Sequence, residues 1–422
     1  MTTANSLPGA DDITRAVLPN GVVVLTRTNF NSPSVVVSGY LQAGSLFDPQ
    51  ERLGLSEFTA AALMRGTETR SFQEIYETIE SIGASLGFEA GVHTAGFSGK
   101  ALSEDLELFI GLAADVLRHP VFPSEQVERL RAQLLTSLAL REQDTAEMAS
   151  LALDEIIYRD HPYRFPSDGY PETIRPIRSE DLAAFHGARY GPATLVIAVV
   201  GAVEAGQALA AIAGAFGDWE NPVQPPPELP PVAPLAEATT RRVTIPGKSQ
   251  ADIALGAAGP VRLSPDYLPA TLGNSVLGQF GMFGRIGESV REKAGLAYYA
   301  YSSVNAGIGP GPWSASAGVD PRNVDRAVDL MRDEIARFVR EPVGGDELED
   351  SQANFIGRLP LAMESNSGVA GALLNLERYG LGLDYFRQYP DLVRGVTPEM
   401  ALETARRYLD PDRLAVSVAG PA

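Results

Sequence analysis

The stretch Gly284 to Ser303, GRIGESVREKAGLAYYAYSS, predicts a helix that runs through a glycine stop into a tyrosine-rich strand. Ile286 and Val290 stand four apart with Glu288, Arg291, Glu292 and Lys293 interleaved, and Gly295 sits where a left-handed C-terminal cap belongs. Leu296 to Val304 then reads as a strand. The reversal at Gly295 sets Arg291, in the last helical turn, near Tyr298, early in the strand. A guanidinium and a phenol are both hydrogen-bond donors, and neither is a useful base. Such a pair suits holding a carbonyl oxygen or an oxyanion but does not generate a nucleophile. The competing reading is a surface salt-bridging arginine beside a core tyrosine, and spacing alone does not separate the two. Alternation puts Tyr299 and Tyr301 on the opposite strand face, as core or interface aromatics.

Outward from this segment the chain repeats itself. Arg189-Tyr190 followed by Leu195 to Gly201, LVIAVVG, is echoed roughly 220 residues later by Arg407-Tyr408 followed by Leu414 to Gly420, LAVSVAG. The apolar helix around Leu106 to Leu117 has its counterpart in Asp320 to Val339. There Asp320 caps, Pro321 takes the first position, and Val324, Val328, Met331, Ile335 and Phe338 form the stripe. Between the repeats, residues 219–239 are dominated by proline and read as a semi-rigid extended linker. The expectation is two tandem homologous α+β domains, residues 11–218 and 240–422, facing each other across a cleft.

Within the first domain, Pro19-Asn20-Gly21 marks a turn, and Val22 to Thr26 and Ser34 to Leu41 read as neighbouring antiparallel strands. Gly54 to Arg65 reads as a helix stopped by Gly66, and Phe72 to Ile82 as one stopped by Gly83. Glu74, Glu77 and Glu80 on the latter form a solvated face. Ser103 caps the next helix, and a longer helical region spans Pro123 to about Tyr158.

At 422 residues, with 45% hydrophobic and 21% charged residues, the chain suits two or three folded domains. A formal net charge of -19 argues against nucleic acid as a partner. Cysteine is absent, so disulfides and thiolate metal sites are excluded. No apolar run reaches membrane length and the N-terminus lacks a secretory pattern, so the expectation is a cytoplasmic protein without membrane association. The four histidines, His93, His119, His161 and His186, share no helical face, and each reads as a surface or internally satisfied residue. Gly278, Gly281, Gly284 and Gly287 match neither dinucleotide nor P-loop spacing and read as close packing at a helix start. There is no G-x-S-x-G elbow.

One further segment, Gly54 to Thr67, GLSEFTAAALMRGT, resembles the G-L-A-H-F-L-E-H-M-L-F-K-G-T segment of the insulinase/pitrilysin family of zinc peptidases, the inverted H-x-x-E-H enzymes. The frame matches and the chemistry does not, since Glu57, Ala60 and Ala61 stand where the family has His, Glu and His. The family's third ligand, a later glutamate, falls near Leu135 to Leu138, where Thr136 and Ser137 stand. The other half of the family's site is present: an Arg and a Tyr seven residues apart in a segment like R-E-K-x-G-L-A-Y, here Arg291 and Tyr298. The resemblance runs over nearly the whole chain, Ser351 to Leu373 included. It implies two α/β-roll domains with mixed, mainly antiparallel sheets packed with helices, and no cofactor in this chain. It further implies a heterodimer with a homologous H-x-x-E-H subunit that carries the zinc. Peptide substrates would be held by Arg291 and Tyr298 acting in trans. A structural or assembly subunit, and a stand-alone peptide-binding protein, are the alternatives.

Overall fold

The computed structural model describes residues 7–279 and 284–422, so Gly281 of the glycine series lies outside the described residues. The chain divides into two compact units, and neither is contiguous. The first takes residues up to Leu138, Pro166–Glu228 and Leu359–Gln388; the second takes Ala139–Phe165, Leu229–Arg358 and the residues from Tyr389. The proline segment therefore marks one crossing between units among several.

The first unit is built on strands β1 (Thr14–Val17), β2 (Val23–Thr28), β3 (Ser34–Leu41), β4 (Ser85–Ala90), β5 (Ala95–Leu102) and β6 (Val196–Gly201), in the spatial order β1-β2-β6-β3-β5-β4. The expected pairing of β2 with β3 does not form. β6 lies between them, parallel to β2 and antiparallel to β3. The reason is in its composition: Val196 to Val200 is apolar at every position and is buried on both faces, which only a central strand permits. Period two splits the sheet's side chains. Val35, Val37, Ile197 and Val199 meet Phe58 and Phe109 of helices Leu55–Ala62 and Leu106–Arg118 in one core. Leu25, Val36, Ala198 and Val200 meet Val369, Leu373 and Leu376 of helix Asn366–Arg378 in another.

The second unit repeats the plan with β7 (Thr239–Thr244), β8 (Ala251–Ala258), β9 (Ala297–Val304), β10 (Pro312–Val319) and β11 (Ala415–Gly420), in the order β7-β11-β8-β10-β9. Ile253, Leu255, Val416 and Trp313 pack with Met331, Ile335 and Phe338 of helix Val324–Phe338. The other face is covered from an unexpected direction. The long helical region predicted over Pro123 to Tyr158 is two helices, Ser124–Arg141 and Thr145–Ile157, because Asp144 breaks it and caps the second through the amides of Ala146 and Glu147. That second helix belongs to the second unit, where Ala149, Leu153 and Ile156 pack on Ala254, Ala415 and Ala419. Ser417, fully buried in β11, donates to the Ala149 carbonyl at 2.5 Å. Each half of the sequence thus lends one helix to the other half's sheet. With about 1.5–3 kcal/mol for each large aliphatic side chain buried, such a helix is held by its apolar face more than by its own propensity. No helix among the described residues is long and apolar enough to cross a membrane.

Candidate functional site

The segment Gly284 to Val304 is shaped by two departures from regular structure. Residues Gly287–Lys293 form a π-helical turn where an α-helix is expected, the Ala294 amide bonding the Ser289 carbonyl five residues back at 3.2 Å, and a six-residue bond from the Leu296 amide to the Val290 carbonyl at 3.0 Å caps its C-terminal end. Such widened turns occur mostly as short insertions and frequently at functional sites. Ile286 and Val290, both fully buried, anchor it, and Gly295 at φ +64° closes it in the left-handed conformation that a helix stop requires. The second departure lies in β9, the edge strand of its sheet. Pairing with β10 runs Gly318 to Tyr299 and then Val319 to Ala297, so Tyr298 is the extra residue of a β-bulge. Ala300 and Ser302, its alternation partners, are buried, whereas Tyr298 is 78% exposed. The bulge turns the phenol out of the core face. Its hydroxyl makes no hydrogen bond to another described residue.

Arg291 is partly exposed and has one loose ion pair, with Glu292 at 3.6 Å. Arg285 on the same segment is by contrast occupied by both oxygens of Glu347, at 3.1 and 2.7 Å. Tyr299 is occupied as well. Its hydroxyl donates to Asp252, a 2% exposed carboxylate that also accepts from Thr145 and, at 3.0 Å, from Gln250. Burial and this bond to a carboxylate both raise the Tyr299 phenol. Tyr301 lies beside Tyr299 at 5.8 Å and is half exposed. Asp252 carries no signal in the sequence, because only the folded sheet brings Thr145 to it. Of the tyrosine run, Tyr298 is the most exposed, and unlike Tyr299 and Tyr301 its ring is held by no hydrogen bond or ring contact among the described residues.

The positions of the degenerate metal motif sit in the first unit. Glu57 is half-buried on helix Leu55–Ala62, where its Oε2 accepts from the Ala90 amide at 2.7 Å. Burial raises its carboxyl, and Glu89 and Asp168 add to the rise. Ala60 is fully buried and Ala61 half-buried. Thr136 and Ser137 point to solvent, Thr136 bonding the Ala132 carbonyl of its own helix at 2.8 Å. The residue of that turn facing the core is Leu138, 2% exposed. One carboxylate, two methyl groups and an apolar turn do not fit a zinc ion, which takes three protein ligands or more. Among the described residues no three His, Cys, Asp or Glu side chains converge to hold a metal.

The histidines are placed in structural roles where the bonding is defined. His186 is buried, with Nε2 at 2.8 Å from the Leu117 carbonyl and its ring stacked on Tyr190, and burial lowers its imidazole. His161 caps a short 3-10 turn by accepting from the Tyr163 amide at 3.1 Å.

Two family models match the chain: one described as insulinase (peptidase family M16) over residues 23–166, the other as peptidase M16 inactive domain over residues 176–355. Similar proteins include an uncharacterized zinc protease of Streptomyces coelicolor, 26% identical over 98% of this chain and 90% of that one. An uncharacterized zinc protease of Mycobacterium leprae is 25% identical over 97% of this chain and 92% of that one. The crystal structure of a peptidase M16 inactive domain from Pseudomonas fluorescens matches with a TM-score of 0.90 at 27% identity, covering 97% of this chain and 98% of that one. A protease from Helicobacter pylori, at 17% identity and a TM-score of 0.89 over 98% and 100% of the two chains, shows the shared fold alone.

Proposed function

The chain belongs to the insulinase family, peptidase family M16, and on that premise we propose that it is a zinc-free subunit which completes the active site of an H-x-x-E-H partner. The observation that carries this reading is the contrast between its two half-sites. The positions that hold a metal elsewhere in the family are filled by apolar or backbone-bonded residues. The Arg291 and Tyr298 segment keeps an exposed, uncommitted phenol on a bulged edge strand.

In this reading the partner supplies the zinc and the base. This chain supplies donors. Tyr298 donates a hydrogen bond to the oxygen on which charge develops as a peptide carbonyl becomes tetrahedral. Donors aimed at that developing charge are worth more in the transition state than in the ground state. Arg291, on the turn leading into the same strand, orients the substrate backbone or the Tyr298 phenol. Substrates are peptides or unfolded chains in extended form, since an edge strand recognises backbone and tolerates varied side chains.

The test is to isolate the native complex from its source and ask what accompanies this chain. A companion of similar size containing H-x-x-E-H, with peptidase activity that needs both chains, is the expected result. A companion without that motif, or a complex whose assembly but not turnover depends on this chain, refutes the reading and points to an assembly role.

A further inference from the structure

The hydrogen bond between Tyr299 and Asp252 joins two strands that are not neighbours, since β10 lies between β8 and β9. Gly318 of β10 pairs with Asp252 of β8 on one side and with Tyr299 of β9 on the other, so the three stand in one row across the sheet. The outer two are two strand spacings apart, about 10 Å. They meet because the middle residue has no side chain. A Cβ on Gly318 would lie 2.6 Å from the Tyr299 ring and 2.9 Å from an Asp252 carboxylate oxygen, so phenol and carboxylate share the space over the glycine. The next row of the same face lacks this arrangement: Ser316 stands between Ala254 and Tyr301, and an alanine offers no side-chain acceptor.

The carboxylate itself is held from several directions. Asp252 accepts from Tyr299, from Thr145 at the start of helix Thr145–Ile157, and from Gln250 Nε2 at 3.0 and 3.1 Å. A buried carboxylate adds little to stability even when bonded, and the best-attested use of such groups is to fix register. Register is what changes at the adjoining residue. Val319, wholly buried, faces Ala297, whereas unbroken pairing onward from Tyr299 would set Tyr298 against Val319 with its ring toward the core. Two anchors prevent this. Gly295 and the bond from the Leu296 amide to the Val290 carbonyl hold the chain before the bulge, and the Tyr299 hydroxyl on Asp252 holds it after. Tyr298 is the residue in excess between them.

We propose that Asp252 is a positioning residue for the reaction assigned above: by holding Tyr299 across Gly318 it fixes the bulge and keeps the Tyr298 hydroxyl turned outward. Asp252 touches no substrate and acts only through Tyr299 and the strand that carries it. Its catalytic consequence rests on the role given to Tyr298 in the proposed function, whereas its effect on the exposure of Tyr298 belongs to this chain alone.

Two measurements test it. In the isolated full-length chain, nitration of Tyr298 by tetranitromethane, followed residue by residue by mass spectrometry, reads whether that phenol faces solvent. Nitration is expected to slow severalfold in Tyr299→Phe and in Asp252→Leu, which both remove the bond. It should stay near the original rate in Asp252→Asn, whose amide oxygen still accepts from Tyr299. Tyr299→Phe carries the test where Asp252→Leu does not fold. In the reconstituted complex, Tyr299→Phe is expected to lower kcat by about tenfold or more with KM little changed, as for a misplaced catalytic group. In a Tyr298→Phe background the same substitution should have no further effect, because it acts through the hydroxyl already removed. Unchanged nitration in Tyr299→Phe overturns the proposal, as does an equal fall in kcat with and without the Tyr298 hydroxyl. If Tyr298→Phe by itself leaves kcat unchanged, the oxyanion role fails, and nitration of the isolated chain still decides whether Asp252 sets the position of Tyr298.

Discussion

Replacing Tyr298 by Phe isolates the chemistry assigned to this chain. The change removes one hydroxyl from a side chain that is 78% exposed and leaves the ring and the β-bulge backbone as they are. Among the described residues no hydrogen bond is lost, so stability should move by no more than about 0.5 kcal/mol, as for other surface substitutions away from special features. The effect on turnover is of another size. Losing one donor to a developing oxyanion costs about 2.7–4 kcal/mol, or roughly a hundred- to a thousandfold in kcat. Because the bond is worth most in the transition state, KM should stay near its original value while kcat and kcat/KM fall together. The assay is hydrolysis of an internally quenched peptide by the complex reconstituted with the co-purifying H-x-x-E-H chain, with complex formation checked by gel filtration. Tyr301→Phe is the internal control, since that ring packs beside Tyr299 at 5.8 Å and is assigned no contact with the substrate, so kcat should be unchanged. If Tyr298→Phe keeps kcat within about threefold in an intact complex, or changes KM alone, the oxyanion role is refuted.

Further expectations follow from the same structure. Arg291→Ala should lower kcat/KM of the reconstituted complex by about tenfold or more without shifting the melting temperature, because its one ion pair is loose and partly exposed; an unchanged kcat/KM refutes its role. Gly318→Ala should disturb the bulge while keeping both donors, because a methyl group there would sit 2.6 Å from the Tyr299 ring and 2.9 Å from Asp252. Thermal unfolding should show a loss of roughly 1–3 kcal/mol, and kcat should fall with it. Asp154 carries a buried oxygen with no hydrogen-bond partner among the described residues, and burial raises its carboxyl from 3.8 to about 7. The raised value means that the folded state holds the proton more tightly than the unfolded one. The associated stability is therefore full below about pH 4 and is lost as pH rises through 7, by at most roughly 4 kcal/mol. Asp154→Asn should accordingly stabilise the protein at pH 8 and change little at pH 4, measured by denaturant unfolding at both. An equal effect at the two pH values refutes this. Metal analysis of the isolated chain should find zinc well below one equivalent, and tightly bound stoichiometric zinc sinks the zinc-free reading.

Local features of the site were legible in the sequence because they depend on neighbours in the chain. Gly295 as a left-handed stop, the strand that follows it, and the paired spacing of Arg291 and Tyr298 need only residues within one turn and one strand. The duplication was legible for the same reason, as LVIAVVG and LAVSVAG are both strands buried on two faces. The absence of metal ligands at 57, 60 and 61 required only reading the residues. What the sequence did not decide are the properties set by distant partners. Placing β6 between β2 and β3 requires a strand more than 150 residues away. The exchange of helices Thr145–Ile157 and Asn366–Arg378 between the two halves of the sequence requires two apolar faces to find sheets built from the other half. The same holds at the site. Sequence alternation puts Tyr298 with the buried Ala300 and Ser302, and only the bulge against Gly318 and Val319 turns it outward. A one-residue slip in register reverses every side chain of a strand, and register is fixed by the neighbouring strand rather than by the strand's own residues. The sequence alone thus determined which chemical groups this protein retained and which it lost. The tertiary structure decided which of them are free to act, since exposure and hydrogen-bond commitment are properties of packing.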